Sequence, residues 1–137
     1  MAEDCIFCKI VRRQVPSSIV YEDEKILAFT DIRPVSEGHT LIIPKEHCVD
    51  VFDTPNELLA ETYIVTKKVA AAVKRATNAD GISVVQQNGK AAGQDIFHIH
   101  VHVIPRFEGK KMPHFNELAV ASREKMDEVA ARISKKM

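Results

Sequence analysis

The most informative stretch of the sequence is residues 97–104, which read Phe97-His98-Ile99-His100-Val101-His102-Val103-Ile104. The chain has six histidines, and half of them fall within these positions. Because side chains alternate across a β-strand, His98, His100 and His102 are predicted to share one face, while the apolar residues between them pack the other. The β-branched residues in the alternate positions also favour a strand over a helix. The stretch therefore predicts a core strand that carries a row of imidazoles.

The rest of the chain predicts an α+β domain. Short apolar runs bounded by turn residues predict four further strands, at about 19–21, 26–29, 40–43 and 82–86. Residues 54–57, Thr54-Pro55-Asn56-Glu57, combine a capping threonine, a helix-starting proline and a capping-box glutamate, and predict a long helix that ends near Ala76. A second helix is predicted from about Asn116. Hairpin-type connections then predict an antiparallel sheet of about five strands with the long helix on one face.

Length and composition exclude several classes of protein. The chain has 137 residues, of which 45% are hydrophobic and 28% charged, as expected for one ordinary globular domain and not for a disordered, collagen-like or coiled-coil protein. Nineteen basic residues balance nineteen acidic ones, so no positive excess is available to hold nucleic acid or an anionic membrane. The acidic start and the lack of any apolar run near the ~18 residues of a membrane span argue against a leader or anchor. Together with the three cysteines, these features predict a cytoplasmic protein in a reducing compartment.

The histidine row has interpretations other than catalysis. An exposed polar face would mix histidine with lysine, glutamate, serine or threonine, and this row holds only histidine. The interleaved apolar residues argue against an affinity tag. One metal cannot bind all three rings, because neighbours two apart on a strand are roughly 6.6 Å apart and the outer pair roughly 13 Å, whereas metal–nitrogen bonds are only ~2.0–2.1 Å. A zinc hydrolase that uses His98 and His100 with a distant ligand stays open.

The catalytic interpretation treats the row as a nucleophile with flanking groups. Neutral imidazole is nucleophilic near pH 7, because its unperturbed pKa is ~6.5. It can attack phosphorus to form a phosphoimidazole intermediate, which splits one difficult displacement into two easier ones. The central residue, His100, has a neighbour on each side that can fix its tautomer, bind phosphate oxygens or protonate a leaving group.

The run from His98 to Ile104 resembles the signature of the histidine triad (HIT) superfamily, His-φ-His-φ-His-φ-φ with φ apolar, and residues 88–94 resemble the loop that precedes it. The resemblance extends from Cys5 to about Phe107. It implies a HIT-like fold in a single domain over residues 1–137, with a core at 1–108 and a tail or helix at 109–137. It also implies cleavage of nucleotides at the α-phosphate through a covalent nucleotidyl intermediate, which carries over to His100.

The resemblance implies roles for further residues. Retention of His102, where transferase-like members have glutamine, favours hydrolysis over nucleotide transfer. Asp31 matches the acidic residue that hydrogen-bonds ribose hydroxyls in Hint-like members, and we count Phe29 beside it among the substrate-binding residues. His39 matches a further active-site histidine. Amides that line the phosphate site in the family are matched by Asn88 and Gln94.

Asp95 departs from the family pattern, since many Hint-like members have serine or threonine at this position. A carboxylate beside phosphate oxygens repels them unless it is protonated or turned away. We therefore expect only the backbone amide of Asp95 at the phosphate.

The Hint-like resemblance implies purine nucleoside 5′-phosphoramidates, of the AMP-amine type, as substrates and a homodimer as the assembly. A Fhit-type hydrolase of dinucleoside polyphosphates is an alternative, and a nucleotide-binding or scaffold protein without turnover is another.

The N-terminal Cys5-Ile6-Phe7-Cys8 is a CxxC unit, which fits half of a zinc site or a dithiol redox centre. A redox motif should open a helix after a strand, and nothing before Cys5 can form that strand. A zinc site needs about two more ligands, for which His47 and His98 are the candidates. Many bacterial-type members of the superfamily with this leading CxxC hold zinc at the matching positions, which implies one structural zinc per chain. Cys48 could compete as a ligand, but a small buried hydrophobe is the better interpretation.

Overall fold

A computed structural model describes residues 2–113 and 118–137 of the protein. Its elements in chain order are α1 (Ile6–Val11), β1 (Ile19–Glu22), β2 (Ile26–Thr30), β3 (Thr40–Pro44), α2 (Asn56–Thr77), β4 (Gly81–Gln86), a 3₁₀ turn (Lys90–Ala92), β5 (Val101–Arg106) and α3 (Arg123–Ser134). The five strands form one antiparallel sheet in the order β1-β2-β3-β5-β4. This confirms the predicted α+β class, the five-stranded antiparallel sheet and the long helix.

The sheet separates two layers of apolar side chains. On one face, α2 and α3 cover a core that includes Ile42, Val69, Val73, Val101, Val103 and Ile133. On the other face, a smaller cluster consists of Phe7, Ile10, Leu27, Phe29, Leu41 and Ile43. Because side chains alternate along β5, the two valines that face α2 place His102 on the α1 side. Leu41 of that smaller cluster lies directly opposite His102 in the register of β3 and β5.

The histidine strand is shorter than predicted. β5 starts at Val101, whereas the prediction began at Phe97. The neighbouring strand β3 ends at Pro44, which has no N–H to extend the ladder. The N–H of Ile99 instead donates to the carbonyl of Cys48 at 2.8 Å, beyond the end of β3. Residues 97–100 are therefore held by the segment after β3 and not by a regular strand pairing.

The three imidazoles nevertheless form one row. The Phe7 ring contacts both His98 and His100 edge-on, with centroid separations of 5.8 and 5.1 Å. The centroids of His100 and His102 are 4.9 Å apart. The shared face predicted from the alternation is thus present, although the strand covers only part of it.

Two helix starts differ from the predicted ones. α2 begins at Asn56 without a side-chain cap, because the Thr54 hydroxyl donates instead to the Asp50 carbonyl at 2.6 Å. α3 begins at Arg123 and is capped by Ser122, while the predicted start at Asn116 lies outside the described residues. The short helix α1 was not predicted at all.

α3 holds the C-terminal segment against the loop between β2 and β3. The Ala121 N–H donates to the Ile32 carbonyl at 2.9 Å. Glu37 of that loop forms ion pairs with Lys125 at 3.0 Å and Arg132 at 2.6 Å. The tail therefore contributes to the surface beside this loop. None of the described helices has the length and apolarity needed to cross a membrane.

Candidate active site and metal centre

His100 is held in the tautomer of a nucleophile. Its Nδ1 lies 2.8 Å from the carbonyl oxygen of His98, which can only accept, so Nδ1 carries the proton. A neutral ring then has its lone pair on Nε2. Burial lowers the pKa of His100, against the opposing effects of the His98 carbonyl and the Asp95 charge. The ring is therefore neutral at physiological pH, as nucleophilic attack requires.

A hydrogen-bonded chain fixes the proton positions on His39 and His102. The Val35 N–H donates to His39 Nδ1 at 3.0 Å, so the proton of this ring is on Nε2. His39 Nε2 lies 3.0 Å from His102 Nδ1 and donates to it. The proton of His102 is consequently on Nε2, which makes that nitrogen a donor. Burial lowers the pKa of His39 to about 3 and that of His102 to about 4, so both rings are neutral near pH 7.

Asp31 lies next to this chain. Its Oδ1 accepts the Arg33 N–H at 2.9 Å, and its Oδ2 is 3.5 Å from His39 Nε2. Burial, reinforced by the nearby charge of Asp95, raises the pKa of Asp31 to about 6. The carboxylate is thus mostly ionised at pH 7 and can accept hydrogen bonds from hydroxyls.

The ligand atoms of Asp31, His39 and His102 lie within 4.8 Å of one another, as in some metal sites. A metal ion there would need a lone pair on His39 Nε2. The Val35 N–H makes that nitrogen the protonated one, so the trio is better described as a hydrogen-bonded chain.

Asp31, His100 and His102 line one end of a cleft of about 610 Å³. The reacting end contains Asp31, Asp95, His100 and His102. The remaining walls are largely apolar and include Ile6, Phe7, Ile10, Phe29, Ile32, Leu118 and Met126, with Arg33 and Arg123 also lining the cleft. A ligand with a flat apolar part, adjacent hydroxyls and a phosphate matches this arrangement. The contribution of α1 to the cleft was not predicted from the sequence, although the spacing of the apolar residues Ile6, Phe7 and Ile10 indicates an apolar helix face.

The predicted amides have a different environment from the one expected. Gln94 is 2% exposed, and its side chain bonds the Gly89 N–H at 2.7 Å and the Val49 carbonyl at 2.6 Å. Asn88 accepts the Val51 N–H at 2.8 Å. Among the described residues, those lining the cleft do not include either amide. Both hold the loop before the histidine row, and contact with phosphate stays a prediction.

The two thiols of the CxxC unit lie in one cluster with two histidines. Ligand atoms of Cys5, Cys8, His47 and His98 all lie within 4.8 Å of one another. Cys5 Sγ is 3.4 Å from His98 Nδ1, and Cys8 Sγ is 3.4 Å from His47 Nδ1 and 3.6 Å from His98 Nδ1. Tetrahedral zinc with Zn–S bonds of ~2.3 Å and Zn–N bonds of ~2.05 Å places sulfur and nitrogen roughly 3.6 Å apart. The four residues therefore fit tetrahedral zinc.

Neighbouring bonds prepare these side chains as ligands. His98 Nε2 lies 2.8 Å from the Pro44 carbonyl and donates to it, which leaves the lone pair on Nδ1, facing the cysteines. Cys5 caps α1, so both thiols lie at the start of this helix.

Cys48 is 3% exposed and its Sγ is 3.8 Å from Glu46 Oε2, in keeping with a small buried side chain.

Comparison with known proteins places the chain among similar sequences. The "Protein hit" of Bacillus subtilis is 45% identical over 106 residues, covering 77% of this chain and 73% of that protein. An adenosine 5′-monophosphoramidase of Saccharomyces cerevisiae is 42% identical over 77% of this chain and 65% of its own length. An adenylylsulfatase of Arabidopsis thaliana is 42% identical over 79% of this chain and 55% of its own length.

Solved structures agree with these relatives. A Hit-like protein involved in cell-cycle regulation from Bartonella henselae superposes with a TM-score of 0.94 at 38% identity, covering 100% of this chain and 98% of that one. A Zn-bound histidine triad family protein from Mycobacterium smegmatis gives a TM-score of 0.86 at 39% identity, over 97% and 92% of the two chains. A family model described as the HIT domain matches residues 12–109. The chain therefore belongs to the histidine triad superfamily, as a Hint-like member.

Proposed function

We propose that this protein hydrolyses purine nucleoside 5′-phosphoramidates at the α-phosphate, through a nucleotidyl intermediate on His100. The observation that supports this most strongly is the bond from His100 Nδ1 to the His98 carbonyl, which leaves Nε2 as the nucleophilic nitrogen on a neutral ring in the cleft. HIT family members are nucleotide hydrolases, and one relative is named an adenosine 5′-monophosphoramidase.

The cleft accounts for binding of a nucleoside. The apolar walls from α1, β2 and the C-terminal segment accept the base, with Phe7 and Phe29 as the aromatic contacts. Asp31, ionised above its pKa of about 6, accepts hydrogen bonds from the two ribose hydroxyls. The 5′-phosphate then lies beside His100 and His102.

Two displacements complete the reaction. His100 Nε2 forms a bond to phosphorus while the bond from phosphorus to the leaving nitrogen breaks, and the amine departs with that electron pair and takes a proton from solvent. His102, with its proton on Nε2, donates a hydrogen bond to the reacting group as charge develops. Water then attacks phosphorus and gives up a proton to solvent, while the electron pair of the phosphorus–His100 bond returns to Nε2, which releases the nucleoside monophosphate and restores the neutral ring.

Trapping the intermediate tests this route. We expect acid quench of the wild-type protein with a labelled adenosine phosphoramidate to leave nucleotide covalently attached, and His100→Ala to leave none while still binding AMP. His102→Ala should still give an adduct, although more slowly, because it removes a neighbouring ring and keeps the nucleophile. A nucleotide-binding protein without turnover would give no adduct in the wild type, and unchanged rates in His100→Ala would contradict the covalent route.

Dinucleoside polyphosphates are the second candidate substrate. Arg33 and Arg123 line the same cleft, and their charges suit a longer phosphate chain. A side-by-side assay of an adenosine phosphoramidate and a diadenosine polyphosphate distinguishes the two, since the proposed function predicts the higher kcat/KM for the phosphoramidate.

We also propose that Cys5, Cys8, His47 and His98 hold one structural zinc ion. The ion would tie the start of α1 to the residue that positions His100 through its carbonyl. Metal analysis of the purified protein should give one zinc per chain. A zinc hydrolase would lose activity on chelation even while folded, whereas a structural ion predicts loss only together with unfolding.

The homodimer and the cytoplasmic location implied earlier remain proposals. Within the described residues, β4 is an edge strand that carries an exposed Val84, and Ile64 of α2 is also exposed. Exposed strand edges and apolar side chains are common features of interfaces between copies. Sedimentation equilibrium should give twice the chain mass.

A further inference from the structure

Asp95 occupies a defined place at the reacting end of the cleft, where it lines the wall together with His100 and His102. The buried Gln94 amide holds the backbone around it. Gln94 Nε2 donates to the Ile96 carbonyl at 3.1 Å, across Asp95, and Oε1 accepts the Gly89 N–H. The backbone position of Asp95 is therefore set by the fold, and the residue is an exposed part of the cleft wall.

The charge of Asp95 acts on every titratable group at this end of the cleft. It raises the pKa of His100 and His102, and it adds to the effect of burial on Asp31. The cationic side chains of the cleft act differently: Arg33, exposed like Asp95, lowers the pKa of Asp31, and Arg123 donates to Ser18 Oγ at 3.0 Å.

Both carboxylates thus stand beside neutral imidazoles. Because Asp95 is the charged residue that acts on both His100 and His102, the potential around the reacting phosphorus is expected to be negative.

A negative potential discriminates between leaving groups and not between nucleotides. Every substrate of this kind brings the same anionic α-phosphate. When His100 Nε2 bonds to phosphorus, the bond to the leaving atom breaks and its electron pair goes to that atom. An amine takes up a proton and departs neutral, whereas sulfate or pyrophosphate departs with negative charge that the carboxylate repels.

From this arrangement we infer that Asp95 is a specificity-determining residue that favours amine leaving groups over anionic ones. The inference rests on the proposed function, because it assumes attack by His100 at the α-phosphate. It assigns a role to the side chain that stands where many Hint-like members have serine or threonine. Leaving groups differ within this superfamily, since one relative is named an adenylylsulfatase and another an adenosine 5′-monophosphoramidase.

The test compares two substrates that share a nucleotide: adenosine 5′-phosphoramidate and adenosine 5′-phosphosulfate. We expect Asp95→Asn to shift the ratio of their kcat/KM values by about tenfold toward the phosphosulfate, as for the loss of one unit charge near a second at a protein surface. The shift should shrink as salt is added. Asp95→Glu should keep the wild-type ratio, and Glu24→Gln, which removes an exposed carboxylate in the turn between β1 and β2, should also leave it unchanged.

The ratio separates specificity from general damage to the protein. A loosened Asp95→Asn protein would lose both activities in proportion, so a change in the ratio reports on the charge alone. An unchanged ratio in a folded, active Asp95→Asn protein would overturn the inference. So would the same ratio shift in Asp95→Glu, because the charge would then be irrelevant. If the wild type turns over neither substrate and forms no adduct, the proposed function fails and the inference fails with it. An adduct with an unchanged ratio in Asp95→Asn refutes the inference alone.

Discussion

Acid is expected to destabilise this protein through two buried histidines in contact with each other. Only 1% of His39 and 7% of His102 is exposed. Burial lowers the pKa of His39 to about 3 and that of His102 to about 4, whereas histidine in an unfolded chain titrates near ~6.5. Below pH 6.5 the unfolded chain therefore binds more protons than the folded protein. The free energy of unfolding falls as the pH falls through this range.

The magnitude follows from these pKa values. Between pH 7 and pH 5, each of the two histidines is expected to remove about 2 kcal/mol from the free energy of unfolding. Asp31 acts in the opposite direction, because its pKa is raised to about 6 by burial first and by Asp95 second. It therefore adds about 1 kcal/mol to the free energy of unfolding between pH 7 and pH 5. The net loss from these three groups is about 3 kcal/mol. Carboxylates whose pKa is lowered by ion pairs, such as Glu37, lose their contribution only nearer pH 4.

Urea unfolding at pH 7, 6 and 5 measures this dependence. His39→Gln removes one titrating ring and keeps a polar side chain, so its free energy of unfolding should fall by about 2 kcal/mol less than that of the wild type. Asp31→Asn removes the opposing group, so its fall should be steeper by about 1 kcal/mol. Histidines common to all three proteins, including those of the metal centre, cancel in these differences. Parallel pH profiles for the three proteins would refute the reasoning.

The effect of other substitutions on the free energy of unfolding should depend on the burial and bonding of the group they remove. Gln94→Ala leaves the Gly89 N–H and two carbonyls without their partner, and should lower the free energy of unfolding by about 2–3 kcal/mol in a urea titration. Phe7→Ala should cost about 3–5 kcal/mol because the ring is 3% exposed, and Phe7→Leu distinctly less. Glu37→Gln removes only exposed ion pairs and should cost under about 1 kcal/mol. Chelation of zinc should lower the Tm of the wild type and should not change that of Cys8→Ser, and equal shifts in both would contradict the metal centre.

Much of the fold was predictable because short sequence patterns indicate its strands and long helices. The alternation of histidine with β-branched residues assigns the imidazoles to one face, and that face is where Phe7 contacts His98 and His100. α1 was not predictable in the same way. A helix of six residues is unstable by itself, because nucleation is costly and few hydrogen bonds repay it. It forms here because Phe7 packs on the sheet and because its first turn contributes two thiols to the cysteine–histidine cluster.

The sequence by itself determined the order of the five strands and the two longer helices, the shared face of the imidazoles, and the residue types available for a nucleophile and a metal. Side-chain alternation and turn chemistry act over a few residues, so they can be read directly. Only the tertiary structure decided that His39 donates to His102, 63 residues away, and that Asp95 lines the same cleft as His100. Proton positions, buried pKa values and the shape of a cleft depend on contacts between distant segments, and these exist only once the chain has packed.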